Sequence, residues 1–251
     1  MNKTEQFLNR IGLSGRNVEQ TVEFLAAVQE ACVLTIPYEN LDILAGKPVS
    51  LEKEAIFHKI VVCRRGGYCF ELNALLHHML EEMGFQVKSC FARFLRGESQ
   101  IPFRRHRIVV VNLGGQAYML DIGVGQIAPR LPLKLTEGEV QSQNGETYRF
   151  VRDPELGWIL EDFRKDQWNR YISFTTERQY EADFEPASFW CERHPDSPFN
   201  KGNMLAIKTA AGRKTVDNRT YKVFEGENLA LIEENVSDSR LEEIFRLEFG
   251  L

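Results

Sequence analysis

Three residues stand where their types could do chemistry together. They are Cys69 in "RRGGYCFELNALLHHMLEEMGF" (64–85), His106 at the head of "HRIVVVNL", and Asp121 in "DIGVG" (121–125). Cys69 follows two glycines, and no Ser, Thr, Asp or Asn cap precedes the helical pattern that starts there. Gly66-Gly67 permits positive φ and close backbone approach, hence a sharp turn into the helix. Cys69 then lies in the first turn, among unpaired N–H groups at the positive end of the helix dipole. Such a setting favours a thiolate, with a pKa lowered to roughly 3.5–7.5, and the same N–H groups suit a developing oxyanion. The chemistry is nucleophilic attack by sulfur, which needs a partner base. Cys32, Cys63, Cys90 and Cys191 read instead as inert core thiols.

The base comes from a hairpin. "HRIVVVNLGGQAYMLDIGVG" (106–125) is two apolar runs around Gly114-Gly115, a strong two-residue turn signal. With Leu113 opposite Gln116, the register carries on to place His106 opposite Gly123 and Asp121 opposite Ile108. His106, Asp121 and Gly123 share one face, with His106 and Asp121 as diagonal neighbours roughly 7–8 Å apart at Cα. Gly123 opposite the imidazole is expected to leave room above the ring. An ionised Asp beside a His fixes the ring tautomer and stabilises the imidazolium. The competing reading has His106 capping a strand at the surface and Asp121 opening a turn. Nothing in the sequence alone brings Cys69 to this hairpin.

These residues need elements to hold them. The first 85 or so residues have helical periodicity, in "NVEQTVEFLAAVQEACVL" (17–34), in "LEKEAIFHKIVV" after Ser50, and from Leu72 to a stop at Gly84. From about residue 87 short β-rich runs take over: "QVKSCFARFL", "RIVVVNL", "QAYMLDI", "TYRFV" and "WILEDF". After "HPDSPFNKG" (194–202) come the strands "MLAIKTA", "KTVD" and "TYKVFEG" and a terminal helix, where Ser239 and Glu242 have capping-box spacing. Helices first and strands later predict an α+β chain with a barrel or sandwich in the middle. The expected units are 1–86 carrying the nucleophile, 87–190 carrying His and Asp, and 191–251.

A net charge of −5 argues against nucleic-acid binding, although "RFLRGESQIPFRRHR" (93–107) is locally basic. The start of the chain shows no secretory leader, and no run is long enough to span a membrane. An odd number of scattered cysteines reads as reduced thiols, so a cytoplasmic location is expected. No CxxC occurs, and His77 and His78 with Glu81 and Glu82 read as a solvated helix face, so no metal is expected. His58 and His194 have no identified partner.

"RGGYCFELN" (65–73), a His opening an apolar strand, and "DIGVG" resemble the arylamine N-acetyltransferase family, and "PYENLDI" (37–43) and "SPF" (197–199) are similar to further segments of it. The resemblance implies a helical bundle, a central β-barrel and an α/β lid around a papain-like core. It implies acetyl-CoA as acyl donor and an arylamine, hydrazine or N-hydroxyarylamine as acceptor, with no metal, nucleic acid or membrane as partner. Cys69 becomes the nucleophile, His106 the base and Asp121 its orienter; Glu39 and Arg64 correspond to an ion pair near the site. Tyr38, Phe94, Leu95, Val124 and Phe199 are expected at the substrate, and Gly125, Arg104 and Arg105 at the cofactor. Family members often have Phe where Tyr38 stands and an aromatic where Val124 stands, which bears on acceptor preference, and a short C-terminus suggests a trimmed lid. An amide synthase or a thiol hydrolase would use the same three residues on another acyl donor. A binding module with structural versions of them is the non-enzymatic alternative.

Overall fold

Residues 108–111 are four branched apolar side chains with no polar face, and the fold buries them on both sides. The structure is a computed structural model and describes residues 1–251. Its helices are α1 (Lys3–Arg10), α2 (Val22–Thr35), α3 (Leu41–Leu44), α4 (Lys53–Phe57), α5 (Cys69–Glu82), α6 (Glu181–Arg193) and α7 (Asp238–Glu248). The strands are β1 (Tyr38–Glu39), β2 (Gln86–Phe94), β3 (His106–Leu113), β4 (Gln116–Leu120), β5 (Leu133–Lys134), β6 (Gln141–Gln143) and β7 (Glu146–Asp153). They continue as β8 (Gly157–Arg164), β9 (Gln167–Phe174), β10 (Met204–Lys208), β11 (Gly212–Asp217), β12 (Thr220–Glu225) and β13 (Asn228–Glu233).

Eight strands form an antiparallel sheet in the order β5-β4-β3-β2-β9-β8-β7-β6 that curls almost into a barrel. Ile108 and Val110 point into it, among Cys90, Tyr148, Phe150 and Tyr171. Val109 and Val111 point the other way, onto the helical core of α1, α2 and α5. Two apolar faces cannot fix a strand's register by hydrophobicity alone. The turn fixes it: Gly114 and Gly115 both have positive φ (58° and 81°), the requirement of a type I′ hairpin. The pairing Leu113–Gln116 continues to Val109–Leu120, as the sequence predicts. The short end strands of the barrel are stitched by amide side chains. Gln141 bonds Lys134 through N–H and C=O at 2.8 Å each, and Gln143 Oε1 accepts from Leu131 N at 2.5 Å.

A second sheet, β1-β10-β11-β12-β13, covers one side of the molecule. Its first strand comes from the N-terminal segment, so Tyr38 pairs with Ala206 and Glu39 with Leu205. Buried Asn40 secures this junction by donating to the carbonyls of Phe199 and Gly202 (2.8 Å each) and accepting from Met204 N (2.8 Å). The α+β class is as expected. Residue 190 lies within α6, and β9, α6 and β13 add to the strands and helices that the sequence predicts. The last helix is capped by Ser237, whose Oγ accepts from Arg240 N at 3.3 Å, rather than by Ser239. No helix is long and apolar enough to cross a membrane.

Candidate active site

The loop before Cys69 is held from beneath. Buried Arg10 donates to the carbonyls of Ile60, Thr35, Arg64 and Arg65 at 2.9–3.4 Å. The left-handed residue of this loop is Arg64 (φ 57°), and neither Gly66 nor Gly67 has positive φ. The glycines serve close approach instead. A Cβ at Gly66 would lie 2.1 Å from Pro37 O, and Glu39 N donates to Gly67 O at 2.9 Å. The ion pair expected for Arg64 is made by Arg65, whose Nη2 lies 2.7 Å from buried Glu39 Oε1. Glu71 Oε2 then accepts from Tyr68 N (3.1 Å), and Cys69 is the first residue of α5.

That position does not by itself ionise the sulfur. Cys69 is 3% exposed. Burial pushes its thiol well above the ordinary range, the nearby Cys191 sulfur and the Asp121 carboxylate add to this, and the Phe70 N–H opposes it. The lowered pKa expected from the helix start is therefore corrected: desolvation of a single charge outweighs one turn of helix dipole.

His106 and Asp121 meet as the hairpin register requires, with Nε2 2.6 Å from Oδ2 and both groups buried. The other carboxylate oxygen, Oδ1, accepts from Asn73 Nδ2 (2.8 Å) and from Gly123 N (2.8 Å). Asn73 also donates to Arg107 O (2.5 Å) and accepts from Ile122 N (3.0 Å). It stands one helical turn after Cys69, so a single buried amide ties the cysteine's helix, the histidine's strand and the aspartate's loop. "CFELN" held it in plain view, but its three partners are 34 to 49 residues away. Gly123 departs from expectation. The ladder ends at Leu120, and Gly123 packs on α5, where a Cβ would come within 2.8 Å of Cys69 Cα and 2.6 Å of Asn73 Nδ2. This contact is the link between cysteine and hairpin that the sequence lacked.

Cys69 and His106 both open onto a cavity of about 510 Å³ between helices, barrel and second sheet. Tyr38, Phe94, Val124, Gly125 and Phe199 line it, as does Arg105. Leu95 and Arg104 do not reach its wall; the Leu95 N–H is spent on Tyr171 O (2.8 Å) at the strand edge. Lys222, Thr215 and Met204 from the second sheet also line the cavity, and no local sequence signal points to them.

His77 and His78 are corrected too: they are 6% and 8% exposed, not a solvated face. Their ring nitrogens and a Glu181 oxygen lie within 4.8 Å of one another. Arg107 holds both Glu181 oxygens at 2.7 Å while its Nε donates to Ser89 Oγ at 3.0 Å. Burial, reinforced by Arg107, lowers the His77 pKa to about 3. Below the ordinary His value of 6.5 the unfolded chain takes up this proton and the folded chain does not, so stability falls from there toward pH 3. His77→Gln is expected to flatten the slope of unfolding free energy against pH over that window, read from urea midpoints. Parallel slopes for parent and variant would remove His77 from the account.

Fold and site together define an α+β protein with a Cys-His-Asp cluster at the wall of a three-sided cavity. A family model described as N-acetyltransferase matches residues 21–251. Among curated relatives, the arylamine N-acetyltransferase of Mycolicibacterium smegmatis is 35% identical over 86% of this chain and 80% of its own length. The arylamine N-acetyltransferase / N-hydroxyarylamine O-acetyltransferase of Salmonella typhimurium is 31% identical over 92% and 83%. The solved arylamine N-acetyltransferase of Mycobacterium marinum in complex with CoA superposes with a TM-score of 0.91 at 29% identity, over 98% of this chain and 91% of that one. The chain belongs to the arylamine N-acetyltransferase family and is an acetyltransferase.

Proposed function

We propose that the protein moves an acetyl group from acetyl-CoA to Cys69 and then to an arylamine, hydrazine or N-hydroxyarylamine. The observation that carries this is the 2.6 Å His106–Asp121 pair with Cys69 on the same cavity. Asp121 occupies Nε2, so Nδ1 is the ring nitrogen left to exchange protons with the sulfur. A buried thiol with a raised pKa gives up its proton only as an imidazolium forms to balance the charge, and Asp121 stabilises that cation. The thiolate attacks the thioester carbonyl, a tetrahedral oxyanion forms beside the α5 N-terminal N–H groups, and collapse expels the CoA sulfur, which takes the His106 proton. In the second half the acceptor nitrogen or oxygen attacks the Cys69 thioester, His106 takes its proton, and the Cys69 thiolate leaves.

Tyr38, Phe94 and Phe199 offer aromatic faces to a flat acceptor, and Val124 leaves space where a larger ring would stand. The cytoplasmic location rests on five cysteines without a disulfide among them. The test is mass spectrometry after incubation with acetyl-CoA and no acceptor. One acetyl group on the peptide carrying Cys69, removed on adding an arylamine, is expected. An unmodified Cys69, or acetyl on another residue that turns over equally well, would overturn the mechanism.

A further inference from the structure

The donor in this reading carries a pyrophosphate and a 3′-phosphate, and a net charge of −5 opposes its approach. Some local cation must therefore meet the phosphates. The basic run 104–107 does not supply it. Arg107 is buried and held by both Glu181 oxygens, Arg104 is off the cavity wall, and Arg105, on the wall, is ion-paired with Glu98. In the second sheet Lys208 is paired with Glu146, and Lys214 with Glu248 at 2.6 Å.

Lys222 differs from all of these. Alternation along β12 sends Tyr221 into the core beneath the second sheet and Lys222 to the cavity wall, where no carboxylate lies within ion-pair distance of it. Its directly opposite partner across the β11–β12 ladder is Thr215, which also lines the cavity and whose hydroxyl bonds to no protein group. An unpaired ammonium beside a free hydroxyl, both on paired strands rather than on a loop, offers charge-assisted donors to a phosphate oxygen. Asp217 is the acidic group on the same strand and wall, and Asn218 Nδ2 donates to its carboxylate at 3.1 Å.

We propose that Lys222, with the Thr215 hydroxyl, forms the subsite that binds a phosphate of the CoA donor. This rests on the acyl-transfer reading above, and its test separates the two. CoA binding is measured by calorimetry for the parent, Lys222→Glu and Thr215→Val, which reads the subsite without turnover. Transfer to an arylamine is then compared with acetyl-CoA and with p-nitrophenyl acetate, a donor without phosphate. Lys222→Glu is expected to weaken CoA binding and raise KM for acetyl-CoA by about tenfold to a hundredfold, and Thr215→Val to do so more mildly. Rates with p-nitrophenyl acetate fall far less than those with acetyl-CoA. The parent's kcat/KM for acetyl-CoA falls with ionic strength, and that of Lys222→Glu falls less. Equal CoA affinity in parent and Lys222→Glu overturns the subsite, as does an equal loss with both donors. A parent that binds CoA through Lys222 yet acetylates nothing leaves the subsite standing and removes the acyl-transfer reading.

Discussion

Cys69→Ser is expected to lower kcat/KM for arylamine acetylation by at least about a thousandfold, with a thermal midpoint close to the parent's. The substitution keeps shape and polarity at the start of α5, where Cys69 packs among Tyr68, Phe70 and Cys191 and its sulfur makes one long contact with Arg105 O at 4.0 Å. What it removes is the acidity that lets a neutral imidazole take the proton. Burial already pushes the thiol up, and a hydroxyl in the same place lies further still from ionisation. Cys191→Ser is the matching control, since Cys191 is a buried neighbour that does not line the cavity. It is expected to keep activity within a few-fold of the parent. Substantial turnover in Cys69→Ser, or an equal loss in Cys191→Ser, would sink the assignment of the nucleophile.

The parts of this site that sequence reading reached are those set by local geometry. Helix periodicity and two glycines locate Cys69 at a helix start, and the Gly114-Gly115 turn fixes the register that puts Asp121 beside His106. What it missed depends on contacts far apart in the chain. Gly66 and Gly67 look like turn residues, yet a Cβ at Gly66 would strike Pro37 O and one at Gly67 would crowd the Glu71 side chain. Arg64 and Arg65 are indistinguishable in sequence, and the left-handed φ at Arg64 decides that Arg65 faces Glu39. The basic run 104–107 reads as one cluster because sequence proximity hides strand alternation and the pull of Glu181, which sinks Arg107 into the core. Pro186 masked α6, and β13 is apolar on both exposed faces, which gives no alternation to read. The thiol's upward shift is out of reach of the sequence for the same reason: helix position is local and burial is not.

Asp121→Asn tests the other half of the chemistry, and its hydrogen bonds predict why the loss should be large. Two N–H donors, from Asn73 and Gly123, converge on Oδ1 at 2.8 Å each. An asparagine there must turn its carbonyl oxygen toward them, because its amide group would meet donors with donors. Its NH2 then faces His106 Nε2, which can accept that bond only without a proton of its own. The neutral ring is left with its hydrogen on Nδ1, the nitrogen that should receive the proton from Cys69. The imidazolium also loses its counter-charge. An expected fall of about 10³–10⁴ in kcat follows, close to that of removing His106, while Asn73, Gly123 and the hairpin keep their bonds and the fold its stability. The measurement is kcat against pH for parent and variant, with thermal melts beside it. A fall below about tenfold, roughly 1.4 kcal/mol, with the melt unchanged would make Asp121 a structural tie between hairpin and α5 and leave His106 to act alone.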